Sequence, residues 1–335
     1  MSVTVAIPVR NGGELLARTL AALSAQTVEH ELLVCDSGSV DGSAELARTH
    51  GARVLEIAPA QFSHGGTRNL LMREGTGTRV AFLTQDAEPL DERWLERLLG
   101  GLELADDVGI AFGPYRPRPE ASPAVRIELE RWFASLAPDG APQLVRLGED
   151  ERGLPARELI GRRGFFTDAN ACLARSAWER APFREVAYAE DRVLAIDMLR
   201  AGYAKAYVPE AAVLHSHEYT AAQELRRCFD EWRGLREVYG WREPARPAHI
   251  ARQLRGQLGQ ARRELVAARV APVRRWRTLA SVGARQLARQ TGAMLGSRAD
   301  LLPSPARLRL SLEHRAGFAA LELDAPTITP DDEAP

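Results

Sequence analysis

Five short stretches of this sequence place residues that do chemistry beside short apolar runs or helix starts. "FLTQDAEP" sets Asp86 just after the apolar run Val80 to Leu83. A carboxylate there suits one ligand of Mg2+ or Mn2+, ions that keep several waters and accept phosphate oxygens, so that one or two carboxylates suffice. "VCDSGSVDGS" ends another apolar run on Asp36, which can accept from an imide N–H or a ribose hydroxyl, while Gly38 and Gly42 let the backbone turn tightly. "FSHGGTRN" offers Gly65, Gly66 and Arg68 at a helix start, a pattern that suits an anion. "YAEDRVLAIDMLRAGY" opens a helix on adjacent acids, Glu190 and Asp191. Like charge side by side raises a pKa, which suits Asp191 to general-base work. "LHSHEY" spaces His215 and His217 two apart, on one face of an extended strand, and imidazole ligates divalent metals.

Each stretch has a plainer reading when taken alone. Ser39 or Asp41 can cap a helix, Gly65 and Gly66 can be a turn, Asp86 can be a solvated turn residue before Pro89, and Glu190 and Asp191 can complement a helix dipole. Nothing in the chain reads GxGxxG or GKS, so neither a dinucleotide fold nor a P-loop is supported.

The elements that must hold these residues follow from periodicity. Residues 3–8, 31–36, 52–57 and 79–84 are short apolar runs, each followed by a helix-period segment. This βαβα order predicts a parallel sheet covered by helices. Right-handed crossovers bring the carboxyl ends of its strands to one edge, where open α/β sheets keep their ligands. Pro8 to Asn11, Asp36 to Gly38 and Thr84 to Asp86 all fall there. Further along, 109–123 reads as a strand and a Pro-rich loop, 124–136 as a helix and 137–155 as a mobile loop. From residue 220 the pattern is helical throughout.

Bulk composition adds limits. The net charge is −1 over 335 residues, but residues 1–244 are net −8, residues 245–315 net +12, and the last twenty carry five acids and no base. The three cysteines, Cys35, Cys172 and Cys228, are scattered, which predicts reduced thiols in a cytoplasmic protein. No run of about 18 apolar residues occurs. The arginine-rich segment lacks interleaved aromatics, with Trp276 alone in it, which argues against nucleic acid as a partner. Two readings stay open for it: a surface lying on an anionic leaflet, or a helical packing domain or homodimer interface.

Taken together, "VAIPVRN", "VCDSGSVDGS", "FLTQDAEP", "DANACLARSAWERAPF" and "AEDRVLAIDMLRAGYAKAYVPEAAVLH" resemble, in order, the family 2 glycosyltransferases of GT-A fold, over about residues 3–217. Within that family "FSHGGTRN", "TQDA" and "HSHEYT" look most like bacterial rhamnosyltransferases of polysaccharide assembly. "RCFDEWRG" and the segment 291–318 are similar in layout to that subgroup's C-terminal helices. The resemblance implies an α/β GT-A fold, a mostly parallel sheet between helices, with a helical extension. The expected divisions are 1–219, 220–315 and an acidic, partly disordered tail, 316–335.

It also implies an inverting transferase using a nucleotide-diphosphate sugar, with dTDP-L-rhamnose favoured. Alternatives are UDP-galactofuranose or a UDP-hexose as donor, or a non-catalytic sugar-nucleotide-binding scaffold subunit. The implied acceptor is a glycan, polyprenyl-diphosphate-linked in keeping with the family, which places the chain at the inner face of the plasma membrane. By the resemblance, Pro8, Arg10 and Asp36 line the base and ribose pocket and Arg68 faces the diphosphate. Asp86 is the second acid of the DxD motif and binds the metal (Mg2+ or Mn2+) with His215 or His217, and Asp191 is the base. Asp168, Asn170 and Glu190 fall on the acceptor side. Thr84 and Gln85 depart from DxD, the first acid being replaced by Thr84, a pattern the subgroup shares.

Overall fold

The computed structural model describes residues 2–159, 161, 163–244 and 246–319. They fall into two compact units. One comprises the chain as far as Arg118 together with Glu130–Ser216; the other comprises Pro119–Leu129 and the described residues from His217 on. The second unit thus begins three residues before the expected boundary and also takes in an inserted segment. Of the acidic tail, residues 320–335 lie outside the described residues.

The first unit opens with three βα steps and a fourth strand: β1 (Val3–Val9), α1 (Gly13–Ser24), β2 (Glu31–Asp36), α2 (Ser43–Thr49), β3 (Arg53–Glu56), α3 (His64–Glu74) and β4 (Arg79–Leu83). After them come β5 (Glu88–Pro89), α4 (Trp94–Leu102), β6 (Val108–Phe112), β7 (Tyr115–Arg116), α5 (Pro123–Ala134), β8 (Gln143–Val145), α6 (Glu149–Arg152), α7 (Ala156–Leu159), β9 (Asn170–Ala174), α8 (Arg175–Arg180), α9 (Glu190–Arg200), β10 (Ala204–Tyr207) and β11 (Val213–Leu214). Strands β3, β2, β1 and β4 pair in parallel, as the alternating pattern requires. The sheet then continues β9, β6, β10, β8. Central strands β1, β4 and β6 are buried along nearly their whole length, which is why they read as continuous apolar runs. Leu16, Leu20 and Leu23 of α1 and Trp94, Leu95 and Leu98 of α4 close the core over them.

Two features lie outside the opening βαβα pattern. Strand β9 runs antiparallel between β4 and β6, so its amino end, not its carboxyl end, meets the ligand edge. The stretch 137–155 is not loop throughout: β8 adds an antiparallel edge to β10, and α6 follows. Three-residue strands stabilised by tertiary pairing leave no periodic signal. A second, small sheet orders β5, β11 and β7, with β11 antiparallel to β5 and parallel to β7.

The second unit is helical from α10 (Ala221–Tyr239) through α11 (Pro247–Ala267), α12 (Pro272–Gly296) and α13 (Ser304–Leu310). Thr220 and Gln223 form a capping box that starts α10, and Gly240 ends it at φ 65. Helices α10 and α12 touch backbone to backbone: a Cβ on Gly292 would strike the carbonyl oxygen of Leu225, and one on Gly296 that of Phe229. Among the described residues no helix is long and apolar enough to cross a membrane. Gly296→Val should therefore force these helices apart and cost about 1–3 kcal/mol or more. Urea melts of the full chain should show it, while exposed Gly256→Ala leaves stability level or slightly raised.

Candidate functional site

The carboxyl ends of β1, β2 and β4 form one rim, and side chains tie them together. Gln85 acts as an extra rung. Its Oε1 accepts from the Arg10 N–H at 2.8 Å and its Nε2 donates to the Arg10 carbonyl at 3.1 Å. The β1–α1 and β2–α2 loops are laced likewise: Asn11 N–H donates to Ser39 Oγ, Gly12 N–H to Ser43 Oγ, Gly13 N–H to Asp41 Oδ2, and Val40 N–H to Asn11 Oδ1, all within 3.1 Å. Asn11 sits at φ 50 to make this geometry. Ser39 thus serves the neighbouring loop and is no cap for α2.

Asp36 is 3% exposed. Its Oδ1 accepts from the N–H groups of Gly38 and Ser39 at 2.9 and 2.8 Å, while Oδ2 is buried with no hydrogen-bond partner. A buried acceptor left open at a ligand edge is costly unless something donates to it. Thr84 Oγ1, on the next strand end but one, is also buried and open. Pro8 is half-buried at the end of β1 and Arg10 is exposed just beyond it.

The small sheet places the metal-type donors. Because β11 is antiparallel to β5 with Leu214 opposite Glu88, the residue after β11 returns to the residues before β5. His215 Nδ1 therefore stands 3.5 Å from Asp86 Oδ1. The Tyr115 ring packs edge-on against His215, with centroids 4.7 Å apart. Arg118 fixes the turn from below: it donates to the Asp86 carbonyl at 2.5 Å and pairs with Glu88 at 3.1 Å. His217, the other histidine of the pair, is the first residue of the second unit, exposed and stacked on Tyr219.

The acids lie on the other side of the rim. The antiparallel course of β9 delivers Asp168, just before it, to the edge where α9 begins with Glu190 and Asp191. Arg68 of α3 is 4% exposed and meets both: Nε lies 2.7 Å from Asp168 Oδ2, a close ion pair without a linear hydrogen bond, and Nη1 donates to Glu190 Oε1 at 3.0 Å. Burial works against the Arg68 charge, but Asp168 and Glu190 outweigh it and raise its pKa. Three carboxyls share this one guanidinium. Burial first, then mutual repulsion, pushes Asp168, Glu190 and Asp191 each up to about 7. Such groups titrate as a set. Ala189, immediately before α9, holds φ 64, an uncommon conformation for a residue with a Cβ. The two acids follow that bend directly as the first residues of α9.

Several sequence expectations are corrected here. Arg68 is not presented to a diphosphate: its guanidinium is buried and engaged by Asp168 and Glu190. The glycines of "FSHGGTRN" serve packing, since Ser63 caps the helix and a Cβ on Gly65 would strike the Arg184 carbonyl oxygen. Asn170 does not face an acceptor. It is fully buried, accepting from Trp94 Nε1 at 2.9 Å and donating to the carbonyls of Ala211 and Pro114. Asp168 and Glu190, 5% and 7% exposed, are buried against Arg68 rather than presented outward. Gln85 spends its amide on the Arg10 backbone.

The sequence reading passed over Tyr115, Arg118, Ala189 and Lys205. Lys205, the chain's one lysine, is buried in β10 and donates to the carbonyls of Arg163 and Phe165, which fixes the segment leading to Asp168. Burial pushes its ammonium down to about 7. Its rarity in the chain was the one signal it offered.

Comparison with known proteins places this arrangement. The model of the family described as glycosyl transferase family 2 matches residues 4–152. Two curated relatives, the O-antigen chain rhamnosyltransferases WbaN of Salmonella anatum and RfbN of Salmonella typhimurium, are each 32% identical over 236 residues. The match takes in 68% of this chain and 70% of WbaN. Among solved structures, the mannosyltransferase PcManGT from Pyrobaculum calidifontis, bound to GDP-Man and Mn2+, is similar in fold, with a TM-score of 0.55 and 18% identity over 87% of this chain and 86% of that one.

Removing the shared cation tests the arrangement. Arg68→Met leaves Asp168 and Glu190 buried without a counter-charge, and losing one partner of a buried pair costs about 3–5 kcal/mol. Thermal unfolding should show this loss even with no nucleotide present; an Arg68 that served only a diphosphate would leave the free protein as stable as before.

Proposed function

Because the chain belongs to glycosyltransferase family 2 and is a glycosyltransferase of GT-A fold, we propose that it transfers L-rhamnose from dTDP-L-rhamnose, with inversion, to a hydroxyl of a lipid-linked glycan. The observation that carries the reading is the 3.5 Å approach of His215 to Asp86 on the rim that also holds Asp36 and Asp191. The rhamnosyl donor and the polysaccharide acceptor are inferred from the two O-antigen relatives. We assign residues 1–219 to the catalytic domain and the arginine-rich helices to a C-terminal region.

The donor set fits a divalent cation. Two donors on adjacent octahedral positions about 2.1 Å from an ion stand about 3 Å apart, close to the Asp86–His215 spacing. A carboxylate oxygen with an imidazole nitrogen suits Mn2+ better than Mg2+, which prefers oxygen alone. His217, two residues on, offers a third ligand by spacing. When bound, the ion would neutralise charge on the departing diphosphate.

The chain's own residues carry the remaining work. Asp36 Oδ2 is open to accept from a base or ribose donor, and the Thr84 hydroxyl is open at the end of β4 on the same edge. Asp191 takes the proton of the acceptor hydroxyl as that oxygen attacks the sugar carbon on the face opposite the leaving diphosphate. A base held near 7 is matched to neutral pH, deprotonated often enough to act and basic enough to pull. Burial and the charge of Asp168 raise that basicity against Arg192 and Arg68, and Glu190 holds Arg68 in place.

Single-turnover transfer with Asp191→Asn should fall about 10²–10⁴-fold with donor affinity kept. The base must be unprotonated to act, so kcat/KM should rise about tenfold per unit up to roughly pH 7 and level above it. Transfer at the wild-type rate by Asp191→Asn would refute the assignment. Asp86→Ala should instead weaken donor binding and abolish its response to Mn2+ in calorimetry. A thermal-shift panel of dTDP- and UDP-sugars decides the donor: preference for a UDP-sugar would replace rhamnose in this reading.

A further inference from the structure

Two groups of arginines stand apart in the C-terminal region. Arg285 and Arg289, well along α12, turn inward to Glu224. Those at the hairpin between α11 and α12 do the reverse. Arg262, Arg263, Arg269, Arg274 and Arg277 are all exposed, and Glu264 is the one acid between residues 246 and 299. Arg269 turns the corner at φ 54, and Arg275 braces it by donating to the Val270 carbonyl at 3.0 Å.

The same tip shows apolar side chains to solvent. Trp276 is 75% exposed, Val273 67% and Val266 48%. Val273 and Trp276 are three apart and share a helix face. That face is not the packing face. At 100° per residue Trp276 lies roughly opposite Thr278 and Arg285, which are buried. A tryptophan and two valines at an exposed corner contribute nothing to the core, and their grouping marks an interaction surface.

We propose that this hairpin tip docks on an anionic phospholipid leaflet, with Val273 and Trp276 entering the headgroup–acyl boundary and Arg263, Arg269, Arg274 and Arg277 meeting lipid phosphates. An indole flanked by valines fits that boundary, being apolar in body with one N–H to keep wet. Charge complementarity selects the leaflet: cationic side chains within a Debye length are drawn to anionic lipid. A nucleic-acid site would offer flat aromatics along a groove, whereas here the valines beside one indole favour a hydrocarbon boundary. The proposal deepens the lipid-linked-acceptor reading by naming the surface that brings the enzyme to its acceptor, and its test needs no sugar, so either can fail alone.

Full-length protein is sedimented with vesicles of phosphatidylcholine, with and without phosphatidylglycerol. Binding should require phosphatidylglycerol and weaken with salt. Trp276→Ala and, separately, Arg274→Gln with Arg277→Gln should each lower partitioning about tenfold while thermal unfolding stays unchanged. Brominated acyl chains should quench tryptophan emission in the wild type and less in Trp276→Phe. Three results would overturn the proposal: pelleting that ignores lipid charge or these substitutions, a dimer in size-exclusion chromatography that Trp276→Ala splits, or binding to single-stranded RNA without binding to vesicles.

Discussion

One buried guanidinium holds the acidic half of the site together. Arg68 reaches from α3 to Asp168 before β9 and to Glu190 at the head of α9, so three segments distant in sequence meet on one charge. A buried cation needs carboxylates, and buried carboxylates need a cation. The ratio is uneven: Asp168, Glu190 and Asp191 lie around one buried Arg68, and burial first, then their mutual repulsion, lifts the pKa of each to about 7. The basicity of Asp191 is therefore a property of its buried surroundings and not of Asp191 alone.

The opposite half rests on backbone topology. The three-stranded sheet is only two residues deep in each strand, yet its antiparallel β5–β11 pairing returns His215 to Asp86. Arg118 and Glu88 brace the turn, and Tyr115 fixes the imidazole's face. Likewise β9, by running against its neighbours, brings the residues preceding it to the edge where the other strands end. Both halves of the site thus arise where the parallel pattern is broken.

In the helical unit, glycine and arginine play complementary parts. Gly292 and Gly296 let α12 lie on the α10 backbone, which leaves little room for side chains between them. Glu224 pairs with the inward Arg285 and Arg289, while Arg262, Arg263, Arg269, Arg274 and Arg277 are exposed about the α11–α12 turn near exposed Trp276. The net +12 of residues 245–315 is therefore not spread evenly over the surface.

Much of the architecture was legible from local pattern. The apolar runs of β1 to β4 and the helix periods between them determined a parallel sheet with its loops on one edge, since buried parallel strands must be apolar on both faces. Asp36, Asp86 and Asp191 were legible because each follows or opens such an element. The tertiary structure alone decided what those residues touch. Arg68 looked like an anion ligand from its neighbours in sequence, but its partners lie 100 and 122 positions away, beyond any local signal. Asn170 looked like a site residue and is a buried hub for Trp94, Pro114 and Ala211, because the partners of its amide lie 41 to 76 positions away in the chain. Ala189 has no residue type to announce its positive φ. Periodicity reports which face of an element is dry, whereas the pairing of charges and the direction of short strands depend on contacts made only when distant segments meet.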